Sequence, residues 1–204
     1  MLLLVLVATW QAACADTEVV RTDHLRSRVV AKTTAAVPGQ SLQVGLWLEH
    51  DPHWHTYWKN PGDSGLPTKI TVSLAGVSTN RIDWPVPDRF DLGTIVNYGY
   101  GGIALLPVTV SIPESVRGQS SVTLDVKAGW LICESECIPG EANYSLTLPV
   151  AATAADDDRW SSAFEWAAAR QPEVVSSRAS YRIEGNDVIV RFEGASWPSD
   201  LAAW

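Results

Sequence analysis

The chain has 204 residues, a net charge of −8 and a hydrophobic content of 46%. This apolar content is sufficient for a packed core and argues against a largely disordered chain. The charge argues against nucleic acids and anionic membrane surfaces as partners, because both need clustered Lys and Arg and the sequence has no basic run. Ten tryptophans against three phenylalanines indicate amphipathic surfaces suited to a binding face.

The chain begins with an apolar run that ends in the small-residue pattern Ala-Cys-Ala. This pattern predicts a secretory signal peptide over residues 1–15, with cleavage before Asp16. The run is too short to span a bilayer. Removal of the signal leaves two cysteines, Cys133 and Cys137, in an exported chain, and an oxidising compartment permits a disulfide between them.

The region from residue 19 to residue 149 consists of short apolar or alternating runs, separated at the intervals typical of a β-sandwich. The runs are SRVVAKTTAAV, SLQVGLWLEH, TKITVSLAGV, GIALLPVTVSI, SVTLDVKAG and YSLTLPV. Turn-rich stretches such as KNPGDSGLP, WPVPDRFDLG and NYGYGG lie between them and argue against long helices. The pattern predicts an all-β, immunoglobulin-like domain over residues 16–150.

The sequence changes character beyond the predicted sandwich. An Ala-rich stretch with Trp160 and Phe164 at helical spacing predicts a linker helix. Two alternating segments around residues 185–187 predict a β-hairpin. One helix and one hairpin bury too little surface to be stable alone. Residues 151–204 are therefore expected either to pack on the first domain or, as we favour, to contain the linker helix and the start of a truncated second β-domain.

The two cysteines are separated by three residues. In one extended strand, Cα atoms four residues apart lie about 13 Å from each other, beyond the roughly 7 Å that a disulfide can bridge. A disulfide between Cys133 and Cys137 therefore requires a chain reversal, and the flanking runs SVTLDVKAGWLIC and YSLTLPV predict two strands joined by a tight loop. The pair is expected at the end of a sheet, partly exposed and within reach of another protein.

The chemistry of this pair leaves more than one role open. A five-residue ring constrains the unfolded chain by only about 2 kcal/mol, so the bridge is a modest structural staple. Glu134 and Glu136 oppose thiolate formation, and no Lys, Arg or His lies within four positions of either cysteine. A redox role would then depend on the partner protein and on shielding by nearby loops.

A histidine-rich stretch, LEHDPHWHTYW, suggests a different function. Histidines near two cysteines can bind copper or zinc, and His53 and His55 share a face if the segment is an extended strand. A metal site formed by His53 and His55 is therefore an alternative. The interpretation that we favour is that His50, His53 and His55 form hydrogen bonds with backbone groups and pack among the neighbouring aromatic residues.

Two motifs together, HWHTYWKNPGDSGLPT and GWLICESECIPGEA, resemble the N-terminal periplasmic region of the DsbD/ScsB family of membrane thiol:disulfide reductases. The segments WPVPDRF and NYGYGG lie between them and fit the pattern of the family in the same order. The resemblance is strong over residues 20–150, and the cysteine spacing is closer to the ScsB-like branch.

The resemblance implies an immunoglobulin-like domain that passes electrons from a membrane-embedded reductase domain of the same polypeptide to oxidised periplasmic proteins. It implies that Cys133 and Cys137 are the redox pair, with Cys137 the better candidate for mixed disulfides. An aromatic loop caps the cysteines in the family, and Tyr98 and Tyr100 are the expected cap. Trp130 is expected to contribute to the cap or to partner binding. The implied partners are thioredoxin-like or disulfide-isomerase-like periplasmic proteins and a thioredoxin-like domain of the same polypeptide.

The leading hypothesis is therefore a periplasmic protein-disulfide reductase domain that needs no cofactor of its own. It would be exported by the signal peptide and would belong to a larger protein anchored in the inner membrane. A copper-binding tolerance module that uses His53 and His55 is the first alternative. A structural or adhesive β-sandwich with a plain disulfide is the second.

Overall fold

The computed structural model describes residues 15–173 and 178–193, so most of the predicted signal peptide lies outside the described residues. The chain divides into two compact units between Gln171 and Pro172. The predicted linker helix belongs to the first unit, and the predicted hairpin belongs to the second. Within the described ranges, no helix is long and apolar enough to cross a membrane.

The described part of the first unit contains two β-sheets and one α-helix. Their bounds are β1 Val20–Thr22, β2 Leu25–Ala31, β3 Ser41–His50, β4 His55–Gly62, β5 Lys69–Leu74, β6 Val77–Thr79, β7 Asp88–Leu92, β8 Ile95–Gly101, β9 Ile103–Ser111, β10 Ser121–Cys133, β11 Cys137–Pro149 and α1 Ser161–Ala169. One sheet has the strand order β1-β2-β3-β9. The other has the order β6-β5-β10-β4-β8-β7, and β11 pairs with β10. The prediction of an all-β, immunoglobulin-like sandwich is confirmed.

The core lies between the facing sides of the two sheets, and the β10–β11 hairpin shows why the sequence folds this way. Leu124 pairs with Leu146 and Val126 pairs with Tyr144, and all four side chains are buried. The residues between them on both strands are exposed. Because side chains alternate between the two faces of a strand, this sequence places one apolar row in the core and one polar row in solvent.

Strands β4, β7 and β8 extend into stretches that the sequence pattern predicted to be rich in turns. The glycines of β8 explain the difference. A Cβ atom at Gly99 would lie 1.9 Å from the carbonyl oxygen of Thr56 on β4, so only glycine permits this approach of the two strands. Glycine within a strand here marks close backbone contact and not a chain reversal.

A helix lies where the sequence predicted a linker helix: α1 packs on the sheet that contains β9. Phe164 and Ala167 of the helix form an apolar cluster with Val30 and Leu105. Beyond the end of the helix, the Arg170 guanidinium donates hydrogen bonds to the Val86 carbonyl and the Asp88 carboxylate. The C-terminal end of the helix thus holds the start of β7 in place.

The described part of the second unit is the predicted hairpin, formed by β12 Arg178–Glu184 and β13 Asp187–Glu193. Gly185, in the turn, has a φ of 62°, in the left-handed region that favours glycine. The hairpin prediction is confirmed.

Candidate functional site

The cysteine pair lies at the tip of the β10–β11 hairpin. Cys133 ends β10 and Cys137 begins β11, and the two are directly paired across the strands. Their Cα atoms are 4.2 Å apart and their sulfurs form a disulfide. The Glu134 amide donates a hydrogen bond to the Glu136 carbonyl and closes the loop between them. The prediction that the cysteines flank a tight loop at the end of a sheet is confirmed.

The two sulfurs differ in accessibility. Cys133 is only 2% exposed, whereas Cys137 is exposed. Cys133 lies on a strand that is paired on both sides, since β10 is bonded to β11 and, at this level, to β4. An incoming thiolate can therefore approach Cys137 more readily than Cys133.

Strand β4 supplies the side chains beside the disulfide. His55 pairs directly with Cys133 across the β4–β10 ladder, and Tyr57, two residues further on, lies on the same face. The hydroxyl of Tyr57 is 3.8 Å from the Sγ atom of Cys137. Burial raises the pKa of Tyr57 above its ordinary value, so its phenol remains protonated near neutral pH.

The PGDSG segment, which includes the last two residues of β4, positions Tyr57. The side-chain amide of Asn97 donates to the Tyr57 hydroxyl at 3.4 Å, and its carbonyl oxygen accepts from the Ser64 amide at 3.2 Å. Gly65 lies against the Tyr57 ring, because an added Cβ would come 2.2 Å from the ring carbon Cε1. The motif thus folds over the tyrosine and fixes its hydroxyl beside the disulfide.

His55 is enclosed by aromatic rings. The ring of Phe90, on β7, stacks on His55 at 4.4 Å, and the Tyr57 ring meets it edge-on at 5.1 Å. The β8 residues paired with His55 and Tyr57 are Gly101 and Gly99, so no side chain separates Phe90 from the histidine. His55 is 1% exposed, and burial lowers its pKa. In the part of the chain that the structure describes, neither of its ring nitrogens has a hydrogen-bond partner.

The predicted aromatic cap residues lie elsewhere. Tyr100 is buried in the core, where its hydroxyl donates to the Pro85 carbonyl and its ring stacks on Trp84. Tyr98 is half-buried and lies two residues away on the same face of β8. This face is opposite to the one that carries Asn97 and Gly99. The structure therefore does not bring Tyr98 and Tyr100 together with the cysteines.

Trp130 also lies away from the disulfide. It is 5% exposed, belongs to the main core and sits against Gly140 on β11. Since it precedes Cys133 by three residues on β10, its side chain projects to the opposite face of the sheet. Trp130 thus supports the hairpin from the core side.

The histidines predicted as an alternative metal site are not arranged as a cluster. His53 is exposed in the turn before β4 with a φ of 73°, whereas His55 is buried. His50 is occupied by hydrogen bonds: Nδ1 donates to the Gly102 carbonyl, and Nε2 accepts from the Thr56 hydroxyl. Within residues 15–173 and 178–193, no three His, Cys, Asp or Glu side chains are grouped to hold a metal ion.

Sequence reasoning did not identify Tyr57, Asn97 and Phe90 as site residues. Tyr57 could have been identified from the sequence, because it follows His55 by two residues and therefore lies on the same face of a strand. Phe90 and Asn97 have no comparable signal, since their contacts depend on the pairing of β7 and β8 with β4.

Comparison with known proteins identifies the family of the chain. The model of the family described as thiol:disulfide interchange protein DsbD, N-terminal, matches residues 24–149, a range that includes both cysteines. The chain belongs to this family. Membership of the DsbD N-terminal family establishes thiol:disulfide interchange as the general activity of the domain.

The fold of this DsbD N-terminal family member is also similar to a solved structure, the crystal structure of the N-terminal periplasmic domain of ScsB from Proteus mirabilis. The TM-score is 0.64 at 23% sequence identity, over 91% of this chain and 72% of that chain. No curated protein matches the sequence.

Proposed function

We propose that the domain relays electrons from a membrane-embedded reductase domain to oxidised periplasmic proteins through Cys133 and Cys137. The observation that carries this proposal is the unequal exposure of the two cysteines of one disulfide at the tip of a hairpin. The periplasmic location is supported by the predicted signal peptide and by the similarity to a periplasmic domain of ScsB.

The exchange proceeds in two steps. A thiolate of the electron donor attacks Cys137 Sγ, the Cys133–Cys137 bond breaks, and its electron pair leaves Cys133 as a thiolate. The second thiolate of the donor then attacks the donor sulfur in the mixed disulfide and releases Cys137, and each cysteine takes up one proton. The reduced domain passes both electrons on by the reverse sequence, with Cys137 attacking the disulfide of an oxidised thioredoxin-like or disulfide-isomerase-like protein.

The β7–β8 hairpin is the element that we propose as the cap of the disulfide. Phe90 covers the His55 side of the site, and the glycines of β8 leave room for its ring. Phe90→Ala should therefore raise the alkylation rate of the reduced cysteines, whereas Tyr98→Ala, on the other face of β8, is the matched control. If Tyr98→Ala raises the alkylation rate more than Phe90→Ala does, the cap is formed by the tyrosines and not by Phe90.

The function is tested by equilibrating the domain in thiol buffers of graded potential and counting alkylated cysteines by mass spectrometry. We expect the pair to change from disulfide to dithiol at a potential above about −300 mV, the range of exchangeable disulfides. If the pair stays oxidised at every potential above about −300 mV, it is a structural bridge and the proposal fails. Cys133→Ser and Cys137→Ser serve as controls, since each variant retains one of the two thiols.

A further inference from the structure

His55 is a buried polar side chain that has no hydrogen-bond partner among residues 15–173 and 178–193 of the oxidised protein. It is 1% exposed, and the absence applies to both Nδ1 and Nε2. His50, the other buried histidine at this end of the sandwich, uses both ring nitrogens in hydrogen bonds. Because buried polar groups in native proteins are almost always paired, an unpaired one suggests a function that appears in another state.

The state that would supply a partner is the reduced one. His55 is directly opposite Cys133 on the neighbouring strand, and side chains in such a pair have Cβ atoms about 4.5–5.5 Å apart. In the disulfide, the sulfur of Cys133 is held toward Cys137 and has no proton to share. Reduction frees this sulfur to rotate about the Cα–Cβ bond and adds an S–H group, which can donate a hydrogen bond to an imidazole nitrogen.

We infer that His55 is the general base that removes the proton from Cys133 when this cysteine resolves a mixed disulfide. This inference rests on the proposed function. After Cys137 has bonded to a sulfur of the oxidised partner, the thiol of Cys133 loses its proton to His55. The Cys133 thiolate attacks Cys137 Sγ and forms the intramolecular disulfide. The partner sulfur leaves as a thiolate and takes up a proton, and the imidazolium returns its proton to solvent.

A base is needed at this position because Cys133 is buried, whereas Cys137 is exposed, and an apolar environment disfavours a charged thiolate. Glu134 and Glu136, in the exposed loop, add negative charge nearby and oppose the thiolate further. A thiolate paired with an imidazolium avoids both penalties, as in other Cys–His pairs.

The groups around His55 leave Cys133 as the proton donor. Besides Cys133, the titratable or charged residues on the neighbouring elements include Tyr57 and Lys59 on β4, His50 on β3, Asp88, Arg89 and Asp91 on β7, and Glu134, Glu136 and Cys137 at the hairpin tip. Tyr57 stays protonated, and His50 bonds to Gly102 and Thr56. Lys59 lies over the Trp58 ring, Asp88 pairs with Arg170, and Arg89 pairs with Asp91 on its own strand. The β8 residues opposite His55 and Tyr57 are Gly101 and Gly99, which cannot ionise.

The inference is tested by rapid mixing of the reduced domain with a nitrobenzoate disulfide, which releases a coloured thiolate at each step. The first release reports attack by Cys137, and the second reports resolution by Cys133. His55→Phe keeps an aromatic ring against Phe90 but removes the base. We expect the second release to slow on the order of 100-fold near pH 7 and the difference from the wild type to shrink at high pH, where Cys133 ionises unaided.

The matched control is His53→Asn, an exposed position whose positive φ suits asparagine. Its second release should equal that of the wild type. If folded His55→Phe shows a normal first release and a second release at the wild-type rate, the role of His55 is overturned, whereas the proposed function stands. Absence of the first release in the wild type would overturn the proposed function and, with it, this inference.

A second measurement needs no variant. We expect the imidazole resonances of His55, followed by NMR as a function of pH, to report protonation at a higher pH in the reduced protein than in the oxidised protein, because only the reduced form offers a thiolate. Equal midpoints in the two forms would overturn the inference.

Discussion

The base and the tip of the β10–β11 hairpin are built from different side chains. At the base, Leu124 and Leu146 face each other in the core, and the buried Tyr144 hydroxyl donates to Ser27 at 2.7 Å. At the tip, a disulfide lies on the opposite face of the hairpin, and the buried His55 beside it has no hydrogen-bond partner among the described residues.

The two ends of this hairpin therefore have different roles: the base stabilises the fold, and the tip carries the exchange chemistry. Burial of apolar surface without unpaired polar groups stabilises a fold, whereas an unpaired buried polar group costs about 1–3 kcal/mol. Apolar burial at the base therefore holds the hairpin in the sandwich. This stabilisation offsets the free-energy cost of the unpaired polar group at the tip, where disulfide exchange takes place.

The largest effect is expected at the base. Leu124→Ala should lower the free energy of unfolding by about 2–5 kcal/mol, because it leaves a cavity at a fully buried position. Urea unfolding followed by tryptophan fluorescence measures this loss. The reduction potential of the cysteines should stay as in the wild type. A shift of this potential in folded Leu124→Ala would show that base and tip are coupled.

The second prediction concerns pH and His50, the buried histidine on β3 at the same end of the sandwich as the hairpin tip. Burial lowers the pKa of His50 from 6.5 to about 4, so between these values the unfolded chain binds a proton that the folded protein does not. Stability should therefore fall as the pH is lowered from about 6.5 to about 4, by roughly 3 kcal/mol in total from this group. Urea unfolding at a series of pH values measures the slope.

The control for this pH effect is His50→Gln, which can still form hydrogen bonds but does not titrate. It should have a shallower slope over the same range, and an unchanged slope would assign the effect to other groups. Asp157 does not interfere, because the Arg159 hydrogen bonds lower its pKa and its contribution is lost only below the ordinary value of 3.8.

The sequence allowed the hairpin to be predicted because the evidence is local. A gap of three residues between Cys133 and Cys137, with alternating runs on both sides, is compatible with a disulfide only if the chain reverses there. The sandwich class follows in the same way from alternation within each run.

The surroundings of the cysteines could not be predicted, because they depend on pairing between distant strands. The spacing of Tyr98 and Tyr100 shows that they share a face of β8, but it does not show that this face is the core face. The contact of Phe90 with His55 crosses β8, and glycines that read as turn residues make it possible. His53 was placed on the strand of His55 by alternation, although the strand begins only at His55.

A third, smaller effect concerns the disulfide itself. Its reduction should lower the free energy of unfolding by about 2 kcal/mol, the value for a five-residue ring in the chain-entropy model. Comparing urea unfolding with and without a reductant measures it. The double variant Cys133→Ser, Cys137→Ser is the control, since its stability should not respond to the reductant. A loss as large as that of Leu124→Ala would mean that the tip is structural after all.

The smallest effect is expected from Tyr57→Phe. The lost hydroxyl accepts from Asn97 and lies 3.8 Å from Cys137 Sγ, so its removal should cost about 1 kcal/mol of stability. If the same hydroxyl donates to the reduced Cys137 thiolate, its loss should raise the pKa of that thiol, because a hydrogen bond to the charged form is removed. The pH dependence of alkylation measures this pKa, and Tyr181→Phe, at a position that is 76% exposed, is the control. If Tyr57→Phe lowers stability but leaves the pKa of the thiol unchanged, the Tyr57 hydroxyl serves only as a hydrogen-bond partner of Asn97. The reactivity of the tip would then depend on His55 and on the exposure of Cys137.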